Sequence, residues 1–208
     1  MRACPRLLTL VVTAIVGLGG LVVPAPDAAG QQRPGTAPPR GRRAPVEAMT
    51  LQTSAWPDGG RIPEAFTQAG AEQSPPLTWS PAPEGTASYL LVVRDLDAAV
   101  GDGTGEVLQW LVWNIPATAT GLPQGVPMSP ELPDGTRQIS QTGPYYRGPG
   151  AMAAGPVHHY VFEVYALDTT LDVRPVGQSP ADTLAAVMEA ASGHVRGKGA
   201  LVGLFKRR

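Results

Sequence analysis

Three short apolar runs organise the chain. Tyr89-Leu90-Leu91-Val92-Val93 ends at Arg94-Asp95, Trp110-Leu111-Val112-Trp113-Asn114-Ile115 is stopped by Pro116, and the run from Tyr160 to Leu167 ends at Asp168. Each is rich in β-branched and aromatic residues and is bounded by turn formers, which predicts strands that are largely buried. Met49–Thr53 predicts a further strand at a sheet edge. One stretch has a helical period: Leu184, Val187, Met188 and Ala191 fall on one face. Ser179 suits its N-cap, Pro180 its first residue, Asp182 its positive end and Gly193 its stop. Between the strands, residues 97–109, 117–136 and 140–157 read as long Gly/Pro loops, and loops of that length in a compact domain are often functional. The pattern predicts a mainly β fold, a β-sandwich with a few peripheral helices.

The front of the chain follows other rules. Arg2 and Arg6 precede an uncharged run from Leu7 to Val23, and Ala28-Ala29-Gly30 offers small residues for cleavage. That is the layout of a secretory signal over residues 1–30. At 17 residues the run is short for a spanning helix, which needs about 20. Export to the periplasm or beyond is the expectation, and an uncleaved membrane anchor is the alternative. No Cys stands at the cleavage region, so the lipid-attachment residue of a lipoprotein is missing there. Residues 31–48 carry four prolines, four arginines and almost no large hydrophobe, so they read as a disordered linker. The linker is a spacer first, and its arginines offer peripheral contact with anionic lipid. The domain is expected over 49–208.

Composition narrows the picture further. Gly 25 and Pro 23 together exclude a helical bundle and fit a turn-rich domain. The formal net charge of −1 is a cancellation: residues 49–208 hold ten basic and fifteen acidic side chains. An acidic body argues against nucleic acid as a partner, since phosphates need Lys and Arg to neutralise them. Cys4 is the single cysteine and lies within the signal, so the mature domain has no disulfide, thiolate nucleophile or Cys-based metal site. No phosphate-binding glycine loop, G-x-S-x-G or H-E-x-x-H occurs, and neither a cofactor nor a metal is expected.

The candidate chemistry is sparse. Asp95 and Asp97 follow the strand 89–93, where two carboxylates two residues apart can point the same way. Alone they read most simply as turn caps. His158 and His159 precede the third strand and, being adjacent, face opposite sides of it. Gly143-Pro144-Tyr145-Tyr146-Arg147-Gly148-Pro149 is an aromatic, turn-rich segment that can wall a pocket or simply pack as a loop.

The order of these segments is more specific than any one of them. Ser74-Pro75-Pro76-Leu77-Thr78-Trp79 is followed by Asp95-Leu96-Asp97-Ala98 and then by Trp110 to Pro116. Tyr146-Arg147-Gly148-Pro149, His158-His159-Tyr160 and Tyr165-Ala166-Leu167-Asp168 complete the series. It resembles the phosphatidylethanolamine-binding protein family, in particular its bacterial Raf-kinase-inhibitor-like branch, over about residues 49–206. The resemblance implies an antiparallel β-sandwich with a small anion pocket. Its pocket pattern is an Asp-Pro-Asp-Ala-Pro turn, a His-Trp pair opening a strand, a Pro-Pro loop and a His-Arg-Tyr triplet. On this chain Asp95 and Asp97 match the turn carboxylates, Trp110 the tryptophan, and His158 and Tyr160 the ends of the triplet. The strand-opening histidine falls on Gln109, the turn prolines on Leu96 and Ala99, the Pro-Pro pair near Ala151-Met152, and the triplet arginine on His159. Gln109 donates without charge, and a charge-assisted bond is roughly twice as strong as a neutral one.

The ligand-binding residues expected from this are Asp95, Asp97, Gln109, Trp110, His158 and Tyr160. The expected function is an exported binder of a small phosphate-bearing or other polar ligand. The alternative is an inhibitor or modulator of a protein partner. A hydrolase would use Asp95, Asp97 and His158 as base and orienter, but no motif places a Ser or Cys nucleophile, so an enzyme is not expected.

Overall fold

A computed structural model describes residues 45–100, 103, 105–175, 177 and 179–208. The predicted signal, and the linker as far as residue 44, lie outside the described residues. In chain order the elements are β1 (Glu47–Ala48), β2 (Leu51–Gln52), β3 (Gly60–Arg61), a short 3-10 turn (Glu64–Phe66), β4 (Leu77–Trp79), β5 (Ser88–Val100), β6 (Gly105–Pro116), β7 (Gly121–Leu122), β8 (Arg137–Ile139), β9 (His158–Leu167), α1 (Pro180–Ala191) and β10 (Val195–Phe205). The expected mainly β architecture is observed. The large sheet runs β1-β10-β9-β5-β6-β8, with β3 pairing the far end of β10, and the small sheet runs β2-β4-β7.

Period-two alternation divides the large sheet's side chains between two cores. Tyr89, Leu91 and Val93 of β5, with Phe162 and Val164 of β9, pack against Leu51, Leu77, Trp79 and Leu122 of the small sheet. Leu90 and Val92, with Leu111, Trp113 and Leu167, face α1 through Val187 and Ala191. Trp110, Trp113 and Phe162 are fully buried, and such a side chain contributes roughly 1.5–3 kcal/mol relative to exposure. α1 starts as expected: the Ser179 hydroxyl accepts from Asp182 N at 3.2 Å.

Three boundaries differ from the sequence expectation. Glu47 and Ala48 pair in parallel with Gly197 and Lys198, so the sheet begins two residues inside the expected linker. The described residues of 97–109 are mostly strand and not loop: β5 reaches Val100 and β6 starts at Gly105, with these two residues opposite each other. β10 is an unexpected eleven-residue strand at the C-terminal end. Its glycines hide the strand pattern, yet packing requires them. A Cβ on Gly199 would lie 2.6 Å from the Met49 carbonyl oxygen, so only a bare backbone lets the incoming chain lie this close.

Candidate functional site

The hairpin of β5 and β6 is irregular where it meets the site. Asp95 pairs with Val107 and Val100 with Gly105, so residues 96–99 bulge out of the ladder. The cause is local. Asp95 Oδ1 accepts from the backbone N–H groups of Asp97 and Ala98, both at 3.1 Å, and this turn interrupts the strand. The bulge also breaks the parity of the two carboxylates. Asp95 stays buried, at 3% exposure, next to the start of β9. Asp97 swings to the rim, where its Oδ2 accepts from His159 N at 2.6 Å and lies 2.9 Å from His159 Nδ1. These bonds hold the Asp97 carboxyl below its ordinary range, chiefly through the His159 backbone N–H.

His158 and His159 face opposite ways, as their adjacency requires. His158 Nδ1 lies 3.0 and 2.9 Å from the two Asp95 carboxylate oxygens. An ionised carboxylate only accepts, so Nδ1 carries the hydrogen, and Nε2 is left for the cavity that His158 lines. That cavity has a volume of about 440 Å³. Its polar lining includes Asp95 and His158 on one pair of strands, Gln109 on β6, and Gln68, Gln141, Thr142 and Arg147 on loops, with Met152 among the apolar lining.

The loop of residues 146–151 is the cavity's built wall. Gly148 lets it lie against the 3-10 turn, since a Cβ there would meet Phe66 O at 2.8 Å. Tyr146 is buried behind it and donates its hydroxyl to Phe66 O at 2.9 Å. The Tyr160 hydroxyl accepts from Gly150 N and Ala151 N, both at 3.2 Å, and so ties the wall to β9. Burial, and then the nearby Asp95 carboxylate, push the Tyr160 hydroxyl well above its ordinary ionisation range, so it stays neutral. Gln109 completes the seam. Its backbone carbonyl accepts from Arg147 N at 2.9 Å. With its amide oriented so that both ends find complementary partners, its nitrogen donates to Arg147 O at 2.8 Å and Gly148 O at 3.3 Å.

A family model described as phosphatidylethanolamine-binding protein matches residues 52–206. The chain belongs to the phosphatidylethanolamine-binding protein family. A UPF0098 protein of Methanothermobacter thermautotrophicus is 42% identical over 161 residues, covering 76% of this chain and 99% of that one. LppC of Mycobacterium tuberculosis, named as a candidate lipoprotein, is 35% identical over 163 residues, 77% of this chain and 74% of its own. Among solved structures, the phosphatidylethanolamine-binding protein homologue CT736 of Chlamydia trachomatis is similar with a TM-score of 0.63 at 26% identity, over 78% of this chain and all of that one. No helix among the described residues is long and apolar enough to cross a membrane.

Set against the family's pocket pattern, the six expected residues separate into three groups. Asp95, Gln109 and His158 line the cavity. Asp97 sits at the rim and does not join Asp95, because the turn at Asp95 redirects the chain. Trp110 and Tyr160 stand behind the wall. Trp110 is fully buried, donates to Gln138 Oε1 at 2.9 Å and meets Tyr146 edge-on at 5.4 Å. Gln109 also differs from expectation in role: its amide hydrogens serve the wall's carbonyls and are not offered to a ligand. Gln68 and Arg147 line the cavity and were not singled out from the sequence as site residues. The signal for Arg147 was present, since it lies inside the Tyr146-Arg147-Gly148-Pro149 motif. Gln68 sits in a stretch with no motif at all.

Proposed function

We propose that this chain is an exported binding protein whose cavity takes a small phosphate-bearing or other polar ligand. The observation that carries this reading is His158. Asp95 occupies its Nδ1, while Nε2 has no partner among the described residues and belongs to a ring lining a recess of about 440 Å³. A recess of that size with apolar walls and a few convergent polar groups is the usual form of a small-molecule site. Neutral His158 accepts a hydrogen from a protonated ligand oxygen through Nε2, and protonated His158 donates a charge-assisted bond to an anion. The name of the family supports a phosphate-bearing ligand. The basic and apolar start of the chain supports export, as does the name of the LppC relative.

The test is calorimetric titration of inorganic phosphate and phosphoethanolamine into the parent chain and into His158→Ala. Saturable binding by the parent is expected, with affinity about tenfold weaker in the variant, the equivalent of one charge-assisted bond. No saturable heat with either compound discards the reading.

A second reading, modulation of a protein partner docked over the cavity mouth, has one observation in its favour. Leu96, Met152 and Val157, in or beside the lining segments, are 46%, 72% and 41% exposed, and clustered apolar exposure marks interaction surfaces. Its test is affinity capture with the parent and with Met152→Asp. A partner retained equally by both counts against it.

A further inference from the structure

The cavity has a second polar feature besides the Asp95–His158 pair. Arg147 lines it, and among the described lining residues it is the one permanent cation. Its guanidinium is held from two directions. Nη1 lies 3.0 Å from Glu72 Oε1 and 3.3 Å from Oε2, and Nη2 donates to Gln68 Oε1 at 2.9 Å. Glu72 lines a neighbouring cleft, with Ser74 and Tyr146, and does not line this cavity. The carboxylate therefore lies outside this cavity's lining, and the remaining guanidinium N–H groups make no hydrogen bond among the described residues. Arg presents five donors in a planar fork that matches an oxyanion, and two directions of that fork are used here.

The surroundings are built to keep this arrangement. Glu72 Oε1 also accepts from Gly148 N at 3.1 Å, and the Gln68 amide donates to Gly148 O at 2.8 Å. Glu72 has a backbone φ of 53°, in the left-handed region that a glutamate adopts at a cost. Such a conformation persists where its surroundings over-determine it, and it clusters at ligand sites. Meanwhile Gln109, also in the lining, is neutral, and its amide hydrogens serve the wall.

We propose that Arg147 is the anion-recognising residue of this cavity: positioned by Glu72 and Gln68, its guanidinium binds the oxyanion of a phosphate-class ligand and supplies the positive charge that the neutral Gln109 amide does not. The proposal rests on the small-ligand reading above and sharpens it. It makes the ligand an oxyanion, not a neutral polar molecule. It also assigns Glu72 a measurable effect, since a carboxylate paired with the guanidinium offsets part of its charge.

The experiment is calorimetric titration of inorganic phosphate into the full chain and into Arg147→Gln, Arg147→Lys and Glu72→Gln, at fixed pH and ionic strength, with thermal unfolding to verify folding. Arg147→Gln is expected to weaken binding about tenfold, and Arg147→Lys, which keeps the charge but not the fork, about threefold. Glu72→Gln keeps an acceptor for the guanidinium and removes the competing charge, so it is expected to tighten binding about threefold. A purely structural role for the pair predicts the opposite sign for Glu72→Gln, so weakening there overturns the proposal. Parent binding with Arg147→Gln within about twofold also overturns it and leaves the small-ligand reading standing. Absence of parent binding removes both. If Arg147→Gln does not fold, Arg147→Lys and Glu72→Gln decide by the same criteria.

Discussion

Asp95 places both carboxylate oxygens within 3.0 Å of His158 Nδ1, and through that contact it determines which ring nitrogen the cavity receives. The same carboxylate accepts two backbone N–H groups of the bulge, so it cannot turn away without leaving them unpaired. A buried acceptor holding three donors fixes a tautomer more firmly than an exposed one does. Nitrogen chemical shifts of the His158 imidazole are therefore expected to show the Nδ1–H form in the neutral ring. Asp95→Ala is expected to mix the tautomers and to cost about 1–3 kcal/mol in chemical unfolding, because buried donors lose their partner. A parent protein dominated by the Nε2–H form contradicts this account.

The wall makes a separate prediction. Tyr160 contributes no atom to the cavity surface, yet its hydroxyl accepts from both Gly150 N and Ala151 N. Tyr160→Phe keeps the ring within the core and removes that acceptor. Hydrogen exchange at Gly150 and Ala151 is expected to quicken, with a stability loss of about 1–2 kcal/mol. Unchanged exchange at both amides would mean that the wall is held by other contacts.

On the helix-side face of the large sheet, Glu163 receives Arg94 Nη2 and, at 2.6 Å, Lys198 Nζ, while Arg94 also reaches Glu106 at 3.0 Å. Burial acts to raise the Glu163 carboxyl, but the bonds from Lys198 and Arg94 outweigh it and hold it below its ordinary range. A depressed folded-state value contributes stability that is present above the ordinary carboxylate range and lost as pH falls through the lower value. Glu163→Gln is therefore expected to lower Tm at neutral pH. The gap to the parent should narrow on acidification. Arg94 and Lys198 are partly exposed, so the neutral-pH cost is set at about 1–2 kcal/mol. A gap independent of pH would assign the loss to packing.

The sequence revealed the strands that are apolar on both faces and obscured those whose pattern serves another constraint. β5, β6 and β9 lie between two cores and read as plain hydrophobic runs. β10 is equally central, but Gly197, Gly199 and Gly203 replace its inward side chains to admit Met49 and Ile62, so alternation does not show. The site divides in the same way. Asp95 and His158 were named through the order of the motifs, and the ends of β5 and β9 then bring them together. Asp97 was misplaced because a side-chain turn, not strand parity, directs it. Arg147 was overlooked because its role depends on Glu72, seventy-five residues away in sequence.

Gly199 offers the sharpest test of the packing argument. Met49 N donates to Lys198 O at 2.8 Å, which presses the incoming chain onto β10 at this point. A Cβ at Gly199 would stand 2.6 Å from Met49 O and 3.0 Å from its carbonyl carbon, and these are backbone atoms with no rotamer to change. Gly199→Ala must therefore displace β1 or bend β10, a form of overpacking that costs about 1–3 kcal/mol. For a domain of this size that is a Tm drop of roughly 2–12 °C. Gly155 provides the control, since a Cβ there would meet Met152 O at an ordinary 3.5 Å. Gly155→Ala is expected to be neutral or to stabilise by about 0.4–1 kcal/mol, through the lower entropy of its unfolded chain. Equal losses from the two substitutions would show that glycine flexibility matters here and that close approach to Met49 does not.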